Sequence, residues 1–181
     1  MPEKRESLPP AKILLVGTLG SGKTTVAEHL SDRTGIPYRS IDRYREEHGD
    51  GTVAGEYRAQ TAFMEACSAT RPAVIEFSGC GPHAGMAAVA LRESGLPVSV
   101  IWLDAPEKIC LERAERRSGQ VPYPLPWGDV ALSISSISCD LKKTWEWVWT
   151  SGRRFRTLHL PLNGGETAEE ITDKVVAFVW E

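Results

Sequence analysis

The stretch Gly17-Thr18-Leu19-Gly20-Ser21-Gly22-Lys23-Thr24 constrains this chain more than any other. It lies between the apolar run Ile13-Leu14-Leu15-Val16 and the helix-forming segment Thr25-Val26-Ala27-Glu28-His29-Leu30. The pattern G-x-x-x-x-G-K-[ST] between a strand and a helix is a phosphate-binding loop. Its glycines let the backbone close into a nest of N–H groups, and the N-terminus of the following helix faces the same anion. The ammonium of Lys23 reaches the β- and γ-phosphates, and the hydroxyl of Thr24 ligates Mg²⁺. Gly17 to Thr25 are therefore the expected nucleotide-binding residues, with ATP and Mg²⁺ as ligands. The competing reading is a glycine-rich turn that binds nothing. It requires a chance match that arises roughly once in a hundred chains of this size.

The rest of the chain alternates strands with helices. Residues 12–16 are apolar enough for a strand buried on both faces. A helix runs from Gly22 to Arg33 and stops at Gly35. Residues 36–41 read as a second strand, with Asp42 just past its end. Residues 43–70 are polar and then amphipathic, with Val53, Tyr57, Ala59, Phe63 and Ala66 on a packed face. Residues 73–77 form a third strand, ending in Ser78-Gly79-Cys80-Gly81-Pro82. A helix over 83–94 stops at Gly95, and 96–103 is another buried strand. Asp104 is placed to cap the next helix, with Pro106 in its first turn.

Residues 118–128 hold three prolines and two glycines and read as a loop. Val130 to Trp149 is mostly helical, with Trp145 and Trp149 on one side. Residues 156–161 are the last strand, and an amphipathic helix over 167–180 opens with a Thr167–Glu170 capping box. This order predicts an α/β fold: a five-stranded parallel sheet with helices on both faces, joined by right-handed crossovers. Ligands of such sheets sit at the carboxyl ends of the strands. Gly17 to Thr24, Asp42, Glu76 to Gly81 and Asp104 all fall on that rim.

A length of 181 residues suits one domain over 12–181, after a disordered lead over 1–11. A net charge of −3 argues against general affinity for nucleic acid or anionic membranes. No apolar run is long enough to cross a membrane, and the lead lacks the apolar core of a secretion signal. A cytoplasmic location is expected. Cys67, Cys80, Cys110 and Cys139 show no C-x-x-C spacing and read as free thiols. His29, His48, His83 and His159 show no metal-ligand spacing, and His83 lies on the active rim.

Each remaining polar candidate carries two readings. A carboxylate at Asp42 can orient or deprotonate an attacking hydroxyl, or it can cap a helix over 43–48. Glu76, closing an apolar strand, can hold the water shell of Mg²⁺ or grip a substrate hydroxyl or amine; otherwise it is a hydrogen-bonded structural acid. Arg113, Arg116 and Arg117 precede the 118–128 loop. Guanidinium groups there can stabilise a transferring phosphoryl group as a lid closes, or simply form a solvated face. Trp127, Trp145, Trp147 and Trp149 are mainly core or docking residues, any one of which could stack on a base.

Together the segments GTLGSGKTT (17–25), SIDRY (40–44), GEYR (55–58), SGCG (78–81) and VIWLDAPEKICLERAERR (100–117) resemble the shikimate kinase-like group of P-loop kinases, within the nucleoside monophosphate kinase fold. The resemblance implies Lys23, Asp42 and Arg117 at the reaction centre and Arg113 at the nucleotide. It implies Arg58 and the turn Gly79-Cys80-Gly81 at the acceptor, with Asp42 at the acceptor hydroxyl; Glu76 is placed with the substrate and the metal on the chemistry of its own position. It also implies acceptor-binding helices over 42–70 and a lid over 118–128. The chain departs from the group in three places. Tyr123-Pro124-Leu125 stands where an Arg-Pro-Leu lid signature is usual, Lys142 and Lys143 stand in the helix that normally offers an acceptor-binding arginine, and the third strand carries the acid Glu76, which the group's third strand, ending in a run of glycines, lacks.

The expected function is a kinase that transfers the γ-phosphate of ATP to a hydroxyl of a small molecule: a sugar-like alcohol, a nucleoside or an antibiotic such as an aminoglycoside, rather than shikimate. A nucleoside monophosphate kinase is the alternative enzyme, with Arg39, Arg43, Arg45 and Arg58 as its phosphate-binding cations. A P-loop binding module without turnover is the third reading, weakened by the absence of an N-K-x-D guanine motif.

Overall fold

A computed structural model describes residues 8–117 and 128–180. Within them, β1 (Lys12–Val16), β2 (Tyr38–Ser40), β3 (Ala73–Glu76), β4 (Val98–Asp104) and β5 (Arg156–Pro161) form one sheet in the order β2-β3-β1-β4-β5. Every pairing is parallel. The helices are α1 (Lys23–Thr34), α2 (Ile41–His48), α3 (Val53–Ser68), α4 (Ala84–Glu93), α5 (Glu107–Arg116), α6 (Val130–Thr144) and α7 (Ala168–Trp180). A π-helical turn over Trp145–Trp149 continues α6.

The apolar run of β1 sits at the centre of the sheet, where both faces are covered. Its side chains alternate between two cores. Leu14 and Val16 join Phe63, Leu91 and Trp149 on the face covered by α3, α4 and the π turn. Ile13 and Leu15 join Val26, Leu30 and Val175 on the face covered by α1 and α7. Each fully buried aliphatic side chain contributes about 1.5–3 kcal/mol. Lys12 is buried as well; its ammonium donates to the Ala66 carbonyl at 2.7 Å, and burial lowers its pKa.

The register sets the site. Leu15 of β1 and Ser40 of β2 both lie level with Glu76 of β3. Glu76 thus stands between the strand that feeds the phosphate loop and the strand that leads into α2.

The structure departs from the sequence expectation at several points. Residues 43–70 divide into α2 and α3 at a point the periodicity did not mark. Gly49 ends α2, and Thr52 caps α3 by accepting from the Gly55 amide at 3.0 Å. The expected packed face merged two stripes. Ala59 and Phe63, with Cys67, form the buried one, while Val53 and Tyr57 are 90% and 73% exposed. The second strand is shorter than 36–41, because Ser40 caps α2 and Ile41 is already helical. Asp104 does not cap α5: β4 runs through Asp104, and Pro106 takes the cap position. The Asp104 carboxylate instead lies 2.7 Å from His159 Nε2, and His159 stacks on Trp102 at 4.3 Å between ring centroids. The capping box of α7 forms as expected, with Thr167 and Glu170 bonding each other's backbone amides. The expected lid lies outside the described residues apart from Gly128, as do Trp127 and Tyr123-Pro124-Leu125.

Candidate functional site

The loop from Gly17 to Gly22 leaves β1 and enters α1 at Lys23. Two neighbours hold it. The Thr18 hydroxyl, buried, donates to the Ile134 carbonyl of α6 at 3.2 Å. Gly20 lies so close to α5 that a Cβ there would run into the Cys110 carbonyl. Lys23 donates to the Thr18 carbonyl at 2.9 Å, keeping its ammonium within the loop. The Ser21 hydroxyl is buried with no hydrogen-bond partner among the described residues. Leu19 and Gly22 are partly exposed, and Thr24 and Thr25, in the first turn of α1, are exposed.

Across the loop, Thr24 meets Glu76 over 52 residues of sequence. The Thr24 hydroxyl lies 3.1 Å from Oε1 and 3.2 Å from Oε2 and donates its proton to that carboxylate. Glu76 is only 6% exposed. A carboxylate taken from water needs hydrogen-bond donors. It has a second one in the Tyr38 hydroxyl, which donates to Oε2. Burial first, and the neighbouring Glu76 charge second, push the Tyr38 phenol well above its ordinary pKa, so it remains a donor at neutral pH. Sequence reasoning missed Tyr38. Its role follows from the parallel register that sets Ser40 level with Glu76, and nothing in the local sequence reports that register.

Arg113 joins the same neighbourhood. One guanidinium nitrogen donates to the Gly20 carbonyl at 3.3 Å and another to the Gly164 carbonyl at 3.2 Å. It bridges the phosphate loop to the connection between β5 and α7. Arg117 ends α5 and is exposed.

The acceptor-side residues are more scattered. Asp42 occupies the first turn of α2 with its side chain 49% exposed, and it accepts from Arg45 at 3.1 Å. It is not the helix cap, because Ser40 accepts from the Arg43 amide at 3.1 Å. Arg58 does not reach toward the loop in this structure; it donates to Asp50 at 2.8 Å and to the His48 carbonyl at 3.3 Å. The Gly79-Cys80-Gly81 turn is anchored by Trp149, whose indole donates to the Gly79 carbonyl at 2.8 Å. Burial raises the pKa of Cys80, keeping it a thiol beside the Ser78 hydroxyl. His83 precedes α4 with its Nδ1 buried and unpartnered among the described residues. Trp145 packs on Trp102 at 5.4 Å, and Trp147 is 78% exposed. Lys142 and Lys143 are exposed on α6.

The donor set fits a hard divalent cation. Thr24 and Glu76 offer a hydroxyl and a carboxylate, the oxygen ligands Mg²⁺ takes when it keeps several waters and shares phosphate oxygens. With the Thr24 hydroxyl donating its hydrogen bond to Glu76, the lone pairs of its oxygen remain available. Among the described residues no group of three or more His, Cys, Asp or Glu is placed to hold a metal. No helix among the described residues is long and apolar enough to cross a membrane.

A parallel sheet in this order, with the phosphate loop on its central strand and an acid on the neighbouring strand, defines a P-loop protein of shikimate kinase-like architecture. A shikimate kinase from Acinetobacter baumannii, solved with shikimate, superposes with a TM-score of 0.68 at 19% identity, covering 96% of this chain and 94% of that one. A gluconokinase from Sinorhizobium meliloti 1021 matches at a TM-score of 0.55 and 22% identity, over 94% and 91% of the chains. In sequence, the shikimate kinase of Symbiobacterium thermophilum is 34% identical over 111 residues, covering 56% of this chain and 62% of that protein's length. The family model described as an AAA domain matches residues 13–126, and the chain belongs to that family.

Proposed function

We propose that this protein is a small-molecule kinase, transferring the γ-phosphate of ATP to a hydroxyl of its acceptor. The observation that carries the reading is the contact of Thr24 with Glu76, beside Lys23 in the phosphate loop. A structural loop that bound nothing would not need a buried acid and a hydroxyl converging there. The loop amides and Lys23 bind the phosphates, and Thr24 and Glu76 hold Mg²⁺, which neutralises phosphate charge when bound. Arg113, tied to Gly20 and Gly164, flanks the nucleotide. Asp42, half-exposed and adjacent to Arg45, orients or deprotonates the acceptor hydroxyl. Gly79 to Gly81 and Arg58 line the acceptor side, Arg58 after leaving Asp50, and Arg117 serves the transferring phosphoryl group.

The acceptor class rests on a second observation. Of the four arginines expected to hold a nucleoside monophosphate, Arg43 pairs with Glu28 at 3.0 Å and Arg45 with Asp42 and Glu56, while Arg39 donates to the Tyr38 carbonyl at 2.9 Å. This favours a neutral or amine-bearing polyol over a phosphorylated acceptor. Shikimate, gluconate and adenylyl sulfate kinases occur among proteins of this fold. The acid Glu76, which the third strand of the shikimate kinases it resembles lacks, argues against shikimate here. The test is a screen of polyols, nucleosides, aminoglycosides and nucleoside monophosphates with Mg-ATP, read by mass spectrometry of the acceptors. Phosphorylation of a hydroxyl acceptor supports the reading; turnover confined to nucleoside monophosphates contradicts it.

A further inference from the structure

We propose that Tyr38 is a positioning residue for Glu76, fixing the carboxylate that Thr24 and the divalent cation share. The inference rests on the kinase reading only in that the site holds a metal–nucleotide. Tyr38 is 6% exposed and comes from β2, two residues before the position level with Glu76. Its hydroxyl donates to Oε2, while the Thr24 hydroxyl spans both carboxylate oxygens.

A glutamate has a longer, freer arm than an aspartate. Left with one hydroxyl partner, it can pivot about its last torsions, and ordering it on each binding event costs conformational entropy. A second donor on one oxygen fixes the plane of the carboxylate before ligand arrives. Partners of this kind behind a metal ligand change metal affinity or activity by about 10- to 100-fold.

The tyrosine is itself fixed from outside. The Arg43 guanidinium lies over its ring at 4.2 Å from the centroid, and Arg43 pairs with Glu28 of α1 at 3.0 Å. Val26 and Ala27 of α1 belong to the core that buries the ring. The chain Glu28–Arg43–Tyr38–Glu76–Thr24 therefore begins and ends on α1 and passes through α2, β2 and β3. A phenylalanine at position 38 would fill the same core and lose only the hydroxyl. That asymmetry separates positioning from packing.

The test uses Tyr38→Phe in the full chain, with Mn²⁺ as the metal probe read by electron paramagnetic resonance in the presence of ADP. The expected result is about 10-fold weaker Mn²⁺ binding, with metal-free ADP affinity and the circular dichroism spectrum unchanged. Unchanged Mn²⁺ affinity in the folded variant overturns the proposal. Glu76→Gln supplies the second arm. If Tyr38 acts through Glu76, the double variant binds Mn²⁺ no more weakly than Glu76→Gln alone; additive losses overturn it. Should Tyr38→Phe fail to fold, the unmutated chain with fluorotyrosine decides: the Tyr38 ¹⁹F resonance shifts when Mg²⁺ joins the ADP complex, and a resonance that stays put overturns the proposal. If the unmutated chain binds ADP with no metal dependence, the metal–nucleotide reading falls and takes this inference with it. Metal dependence that Tyr38→Phe leaves untouched removes the inference alone.

Discussion

Asp42 and Glu76 are both acids on the same rim, yet their environments differ sharply. Glu76 is buried and accepts from two hydroxyls; Asp42 has half its side chain in solvent and one arginine neighbour. Exposed ion pairs contribute about 0–1 kcal/mol, so Asp42→Asn is expected to leave the melting temperature nearly unchanged. As the base or orienting group it lowers kcat by about 10²–10⁴ with nucleotide affinity preserved. Full turnover in the variant would remove Asp42 from the chemistry. The turn glycines make a second, purely structural contrast. Gly79 and Gly81 have φ of 84° and 83°, but a Cβ on Gly79 would lie 2.5 Å from the Val16 Cβ, while one on Gly81 meets nothing within 4 Å. Gly81→Ala is expected to cost about 1 kcal/mol for the left-handed backbone, and Gly79→Ala a further 1–3 kcal/mol or so for overpacking. Urea denaturation measures both; equal losses would contradict the close packing of the turn against β1. At this scale the phosphate loop was legible because its pattern is contiguous. Tyr38 was not, because its partner is 38 residues away and the register joining them is a property of the sheet.

At the scale of elements, the amphipathic pattern over 43–70 gave helices but concealed where one ends. The break is a polar turn: Asp50 accepts from the Thr52 amide at 3.0 Å and from its hydroxyl, and also from Arg58 at 2.8 Å. The Thr52 hydroxyl and amide, with Arg58 beyond them, hold the Asp50 carboxyl down at about 2, against an ordinary 3.8. A depressed carboxyl stabilises the fold above its ordinary pKa, and that contribution is lost as pH falls from there through about 2. The Asp50 carboxyl carbon is therefore expected to titrate near pH 2 by NMR, with the start of α3 loosening over the same range. A midpoint at the ordinary carboxylate value would contradict the turn. This geometry also explains why Arg58, legible by resemblance as an acceptor ligand, is engaged elsewhere in the structure. The resemblance places it by motif, but here a local carboxylate holds the guanidinium, and that pairing is set by loop geometry that periodicity does not report. Asp104 shows the same limit: the stretch before Pro106 looked like a cap, yet pairing with β5 draws it into the sheet.

For the whole molecule, the alternation of strands and helices was enough to foresee a parallel sheet with both faces covered. Parallel strands need long crossovers, and the helical stretches between the apolar runs supply them. The order β2-β3-β1-β4-β5 was not legible, since it depends on which side each crossover takes. That order does the functional assembly: it sets β3 and its acid directly beside the loop-bearing β1, and β2 with Tyr38 beyond it. The central claim is that this assembly transfers phosphate to an acceptor hydroxyl through Lys23, Thr24 and Glu76. ³¹P NMR of the reaction with Mg-ATP and the acceptor found by the screen tests it most directly, with Lys23→Ala and Glu76→Gln alongside the unmutated protein. The account predicts a new phosphate monoester signal as the γ-phosphate of ATP disappears, reduced at least about 10²-fold in rate in Lys23→Ala, with both variants folded. A folded Lys23→Ala that forms the monoester at the unmutated rate would contradict it.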